Sequence, residues 1–137
     1  MELQFIVPGE PQGKGRPRFG NGRTYTPAKT IEYEQRIARK AAEAMRHFPH
    51  DLTTLPVRVR IDVYKGVAKS WTKAKRARAL DGQEVPGKPD LDNVAKAVLD
   101  ALNAVVYADD VQVVRLLVTK QYSLEPRLVV TVKENIE

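Results

Sequence analysis

KPDLDNVAKAVLDALNAVVYADD, residues 88–110, organises the rest of the chain around it. From Leu91 to Val105 the apolar residues recur at helical spacing: Leu91, Val94, Ala95, Val98, Leu99, Ala101, Leu102 and Val105. Asp92, Asn93, Lys96, Asp100 and Asn103 fill the remaining arc of roughly 100° on the wheel. The pattern predicts an amphipathic helix over 91–105 with a narrow polar stripe. A solvated face explains a polar stripe, but it does not require one so rich in carboxylates and amides.

Asp90 and Asp92 sit at the helix entrance. Two positions apart inside a helix they would diverge, whereas in an extended segment they share a face. Pro89 biases Lys88 towards extended structure. A chain that enters the helix around Asp90–Asp92 brings both carboxylates to one point, with one of them free to cap. The helix dipole there favours the ionised form. Lys96, one turn on, either neutralises a phosphate or pairs with Asp92 or Asp100. Asp109 and Asp110 are expected to begin the next strand, and spacing does not choose between them. Carboxylates gathered from two elements suit a hard cation such as Mg²⁺, with Mn²⁺ as a substitute. Helix capping plus a polar turn would account for the same residues.

Outward from this segment, Val111–Tyr122 reads as a strand, Leu124–Pro126 as a turn, and Arg127–Lys133 as the strand's antiparallel partner. Upstream, PVRVRIDVY (56–64) alternates strictly, Val57, Val59, Ile61 and Val63 against Arg58, Arg60, Asp62 and Tyr64, as a half-buried strand does. Residues 72–80 form a short basic helix, capped by Thr72 or Ser70 and ended by Gly82, and a loop then runs to Pro89. Thr26 and Pro27 open a first helix as N-cap and first residue, with Tyr33, Ile37, Ala41, Ala44 and Phe48 inward and Pro49 as its stop. His47 and His50 lack an acidic partner at ligand spacing and read as surface residues. Residues 2–7 form a strand, and Asn21-Gly22 is a tight-turn signal between Arg18-Phe19 and Arg23-Tyr25. The order predicts a single α+β domain over 1–137, with helices on one face of a small mixed or antiparallel sheet.

The 137 residues carry a formal charge of +6 and 42% hydrophobic residues, enough for one core. The absence of cysteine excludes disulfides and thiolate zinc sites. No apolar signal core and no membrane-length run are seen, so a soluble cytoplasmic protein is expected, with no membrane partner and no small-molecule cofactor. The charge is segregated. Residues 11–29 hold Lys14, Arg16, Arg18, Arg23 and Lys29 with no acid, and residues 65–88 are as basic, including Lys73, Lys75, Arg76, Arg78 and Lys88. The remainder is therefore acidic, an arrangement suited to holding a polyanion around an acidic centre.

KPDLDNVAKAVLDAL followed by VYADDVQVV resembles the RusA-type endodeoxyribonucleases, the phage and prophage Holliday junction resolvases. SWTKAKRARAL and KGRPRF resemble the basic segment and N-terminal arm of that family, so the likeness spans about residues 5–135. It implies a bacterial or phage-encoded homodimer that nicks four-way DNA junctions in pairs with Mg²⁺. By position in the motif, Asp90, Asp92 and Asp110 match the metal-binding carboxylates and Lys96 the essential lysine. The resemblance favours Asp110 over Asp109 and leaves Asp100 and Asn93 as supporting residues. Lys14, Arg16, Arg18, Lys73, Lys75, Arg76, Arg78 and Lys88 would grip phosphates. Phe19 and Trp71 read first as core or interface residues and second as groups that stack at the crossover. The competing readings are a non-catalytic structure-selective DNA-binding module, a structural domain, and a less selective flap or fork nuclease.

Overall fold

The computed structural model describes residues 1–48 and 51–136. Its core begins with strand β1 (Glu2–Pro8), where Leu3, Phe5 and Val7 point inward and their neighbours outward. The same alternation buries Val57, Val59, Ile61 and Val63 of β4 (Val57–Gly66), and Leu128, Val130 and Val132 of β6 (Arg127–Glu134). Together with β5 (Val113–Ser123) they form a four-stranded sheet in the order β1-β6-β4-β5. β1 and β4 are antiparallel to β6, while β4 and β5 run parallel, so the sheet is mixed. Helices α1 (Ala28–Met45) and α3 (Leu91–Leu102) cover the inward face with Tyr33, Ile37, Ala41, Val94, Val98 and Leu102.

Two parallel neighbours need a long crossover. Here it carries α2 (Lys73–Leu80), the following loop and α3. The acidic segment therefore rides in the connection between β4 and β5.

The hairpin expected between the last two strands is not formed: β4 lies between β5 and β6, and β6 pairs with β4 and β1 instead. With Val57, Val59, Ile61 and Val63 buried, β4 takes a central position, which leaves β5 at the edge. The turn after β5 steps over the end of β4. At that end Gly66 N donates to the Glu10 carboxylate, and Pro126 of the turn packs against Gly66.

Several boundaries shift. Pro27, not Thr26, holds the N-cap position of α1, with ψ 143° and no side-chain cap. The helix ends at Met45, so Phe48 packs on the core from beyond it; His47 is exposed, and Pro49 and His50 lie outside the described residues. Thr72, not Ser70, caps α2, accepting from Lys75 N at 3.1 Å, and Gly82 (φ +81°) follows its end as expected. α3 stops at Leu102 instead of continuing to Val105, because the chain turns back through Ala104 (φ +61°) to bury Val106 and Tyr107. Strand β5 begins at Val113 rather than Val111. β2 (Arg18–Gly20) and β3 (Arg23–Tyr25) form the hairpin around Asn21-Gly22, both at positive φ as a type I′ turn demands. Among the described residues, no helix is long and apolar enough to cross a membrane.

Candidate active site

The polar stripe of α3 forms a row on the protein surface. Asp90 stands at the N-cap position in extended conformation (φ −72°, ψ 145°), as the entrance argument requires. Its carboxylate makes no capping bond, so it is presented outward, where exposed Lys88 reaches it at 3.0 Å. Asp92 is exposed in the first turn and has no hydrogen-bond or ion-pair partner among the described residues. Lys96 is also exposed and unpartnered among the described residues, so it is not spent on Asp92 or Asp100.

Asp100 is instead taken by Lys14, whose Nζ lies 2.6 Å from its Oδ2 and 3.0 Å from Glu34 Oε1 of α1. These two carboxylates hold the proton on Lys14 more tightly than on an ordinary lysine, the Asp100 bond contributing most. The structure thus brings Lys14 into the acidic row, with 27% of its side chain exposed, rather than among the outward-facing cations.

Asp109 and Asp110 do not begin a strand. Asp109 caps a single 3₁₀ turn, Asp110–Gln112, accepting from Val111 N at 3.2 Å, while Gln112 accepts from Asp109 N at 2.9 Å. This reciprocal capping box gives Asp109 a structural task, and the Asp109-x-x-Gln112 spacing is its sequence signature, one that sequence reasoning missed. Asp110 is half-buried, and its carboxyl is pushed above the usual carboxylate range, first by its hydrogen bond with Asp109, then by burial and the neighbouring charges of Asp109 and Asp100. Beneath them lies fully buried Tyr107, whose hydroxyl donates to Leu99 O at 2.7 Å. Burial raises its pKa, and the charges of Asp110, Asp100 and Asp109 raise it further. Among the described residues no three acids stand close enough to hold an ion as they are. Hard carboxylate oxygens, two of them presented at Asp90 and Asp92 and others crowded at Asp110, are nonetheless the donor chemistry that a divalent cation such as Mg²⁺ takes.

The basic residues divide by setting. Arg16 and Arg18 are exposed on the arm and hairpin, and Lys73 on α2. Lys75 stacks over the Trp71 ring at 4.4 Å, Arg76 is half-buried, and Arg78 pairs with Glu84 at 3.2 Å. Trp71 meets Tyr122 of β5 edge-on at 5.4 Å, docking α2 on the sheet edge. Phe19 is 78% exposed, which overturns its reading as a core residue.

Sequence reasoning missed Glu34 and Lys120. Lys120 of β5 donates to the carbonyls of Gly87 and Pro89 at 3.1 Å each, and so fixes the loop that delivers Asp90. Nothing in local spacing marks either residue: Glu34 lies 20 positions from Lys14, and Lys120 about 30 from its acceptors. Asn93 serves through its backbone, accepting from Lys14 N at 2.8 Å.

The family model described as "Endodeoxyribonuclease RusA" matches residues 8–133. The chain is 42% identical over 139 residues to "Uncharacterized protein YqaN" of Bacillus subtilis (strain 168), covering 96% of each.

Proposed function

This chain belongs to the RusA endodeoxyribonuclease family, and on that premise we propose that it is a Mg²⁺-dependent, structure-selective nuclease resolving four-way DNA junctions. It acts as a homodimer that makes paired nicks in DNA recombination and repair. The observation that carries this reading is the acidic row of α3, open at Asp92 and Lys96, with exposed Asp90 met by Lys88, in a protein of charge +6.

Asp90, Asp92 and Asp110 are the residues that would hold the cation, and Mn²⁺ could replace Mg²⁺. When bound, the ion supplies an activated water for in-line attack on phosphorus and charge stabilisation for the leaving 3′-oxygen. Lys96, which has no partner among the described residues, offers its ammonium to the charge that grows on the phosphoryl oxygens. Asp109 keeps its turn capped, which holds Asp110 towards the row. The products are a 5′-phosphate and a ligatable 3′-hydroxyl.

Arg16, Arg18, Lys73, Lys75, Arg76, Arg78 and Lys88 hold the DNA backbone, which gives affinity and register without sequence information. Exposed Phe19, next to Arg18, supplies a ring for a base unstacked at the branch point. A dimer is supported by the edge strand β5, eleven residues long with exposed Val114, Leu116 and Leu117. Long apolar edges are rarely left bare. A two-fold pair would match the two symmetry-related strands of a junction.

The test is a substrate panel at one salt concentration: four-way junction, fork, flap and linear duplex, each with Mg²⁺ and with EDTA. Cleavage confined to the junction supports the resolvase. Equal cutting of flaps and forks would replace it with a less selective nuclease. Binding without cleavage under either metal would replace it with a DNA-binding module.

A further inference from the structure

The strap formed by residues 11–15 is fixed on both sides of Lys14. Lys14 N donates to Asn93 O at 2.8 Å, and Gly15 N donates to Thr30 Oγ1 at 2.9 Å. Gly13 passes so close to α3 that a Cβ there would stand 2.8 Å from Asn93 Cβ and 3.3 Å from Pro89 Cβ. Only a residue without a side chain allows that approach. The backbone is thus held against α1 and α3 at once, and the Lys14 ammonium arrives between a carboxylate of each: Asp100 at 2.6 Å and Glu34 at 3.0 Å.

The row therefore contains two lysines in opposite situations. Lys96 is exposed and has no partner among the described residues, whereas Lys14 is committed to two carboxylates. A lysine meant to grip phosphate gains nothing from two carboxylate partners at hydrogen-bond distance, because DNA would have to displace both. A lysine meant to neutralise them gains a great deal, since Glu34 and Asp100 would otherwise add two negative charges to a row that already crowds Asp109 and Asp110.

We propose that Lys14 is a positioning residue, a fixed counter-cation that ties Asp100 and Glu34 together and keeps both out of the metal's ligand set. Divalent ions are thereby confined to Asp90, Asp92 and Asp110. This rests on the reading of the acidic row as a metal site, and it differs from a phosphate-gripping role in what Lys14 touches. The strap leads directly into the Arg18–Tyr25 hairpin, so the same segment that offers cations to DNA also closes one end of the acidic row.

Two measurements on the full-length, DNA-free and DNA-bound protein test it. In the first, Mn²⁺ binding is titrated by electron paramagnetic resonance for the wild type, Lys14→Gln, Lys14→Arg and Lys14→Gln/Glu34→Gln. Lys14→Gln is expected to bind one additional Mn²⁺, or to bind at least about tenfold more tightly. Lys14→Arg should match the wild type, and the double variant should lose the gain. In the second, junction binding is measured without divalent ions across a salt series. The slope of Lys14→Gln is expected to equal that of the wild type, whereas loss of a phosphate contact would reduce it by about 1. An unchanged Mn²⁺ titration, or a slope reduced by that amount, overturns the proposal. Should Lys14→Gln fail to fold, Glu34→Gln carries the test: it leaves Lys14 under-neutralised, and Mn²⁺ affinity should fall at least about threefold, an unchanged affinity being the contrary result. A wild type that binds no Mn²⁺ contradicts the metal reading itself, while the difference between it and Lys14→Gln still decides the role of Lys14.

Discussion

Asp109 and Asp110 are chemically identical neighbours with different work, and the difference lies in one hydrogen-bonded turn. Asp109 caps the turn with Gln112, while Asp110 keeps a hydrogen bond with Asp109 and feels the charge of Asp100. Because its hydrogen bond with Asp109 and its burial raise the Asp110 pKa, the folded protein holds that proton more tightly than the unfolded chain does. The resulting stabilisation is present at low pH and is lost as pH rises through the raised value, where the ionised pair repels. Carbon-detected NMR titration of the metal-free protein should therefore find Asp110 titrating above the ordinary carboxylate range. Asp109→Asn, which still caps, should bring it down; an unmoved titration contradicts the pairing. Tyr107 supplies a second check. Its hydroxyl caps the Leu99 carbonyl, so Tyr107→Phe should cost about 1 kcal/mol in denaturant unfolding. No loss would mean that this bond is dispensable. The placing of Asp90 at an extended helix entrance, with Asp92 and Lys96 one turn apart behind it, was legible in the sequence because it is local. The sequence could not show Glu34, Lys120 or the true partners of Lys14, which meet only through the tertiary fold.

At the scale of elements, local chemistry was readable wherever it acts within a few residues. Asn21-Gly22 forecast the hairpin turn, Thr72 and Gly82 the ends of α2, and the alternation in β4 its inward face. Strand order was not readable, because a short turn between β5 and β6 looks the same whether they pair or step across β4. The end of α3 was not readable, because Val105 continues the apolar spacing while the backbone leaves the helix at Ala104. Two elements carry the DNA predictions. Alanine at Phe19, on the exposed hairpin, should lower the preference for junction over duplex about tenfold while leaving duplex binding intact, the value of one base stack. Fluorescence of 2-aminopurine at the branch point would report the same contact. An unaltered preference assigns Phe19 no part in recognition. On α2, Lys73→Gln should reduce the salt slope of binding by about 1 without changing which structure is preferred.

Over the whole molecule, the sheet order explains how one small domain presents both an acidic row and an open edge. The β4–β5 crossover carries α3 and its acids, and Lys120 and Tyr122 of β5 hold the loop before Asp90 through backbone carbonyls. The same strand exposes Leu116 and Leu117 beside a groove of about 500 Å³ lined by Arg58, Arg60, Arg115 and Lys133. If this edge joins two copies, Leu117→Asp should turn a dimer into a monomer in sedimentation velocity and abolish paired cutting, while a dimer that persists would place the interface elsewhere. As proposed above, the acids of α3 and the turn after it cut junction DNA with a divalent ion. This is tested most directly by incubating an end-labelled immobile four-way junction and a duplex of matched sequence with wild type and Asp110→Asn, under Mg²⁺ and under EDTA. The expected result is symmetric cuts on opposing strands of the junction, absent from the duplex, from EDTA and from the variant. Tight junction binding with no cut under Mg²⁺ or Mn²⁺, or cutting that survives Asp110→Asn, would contradict it.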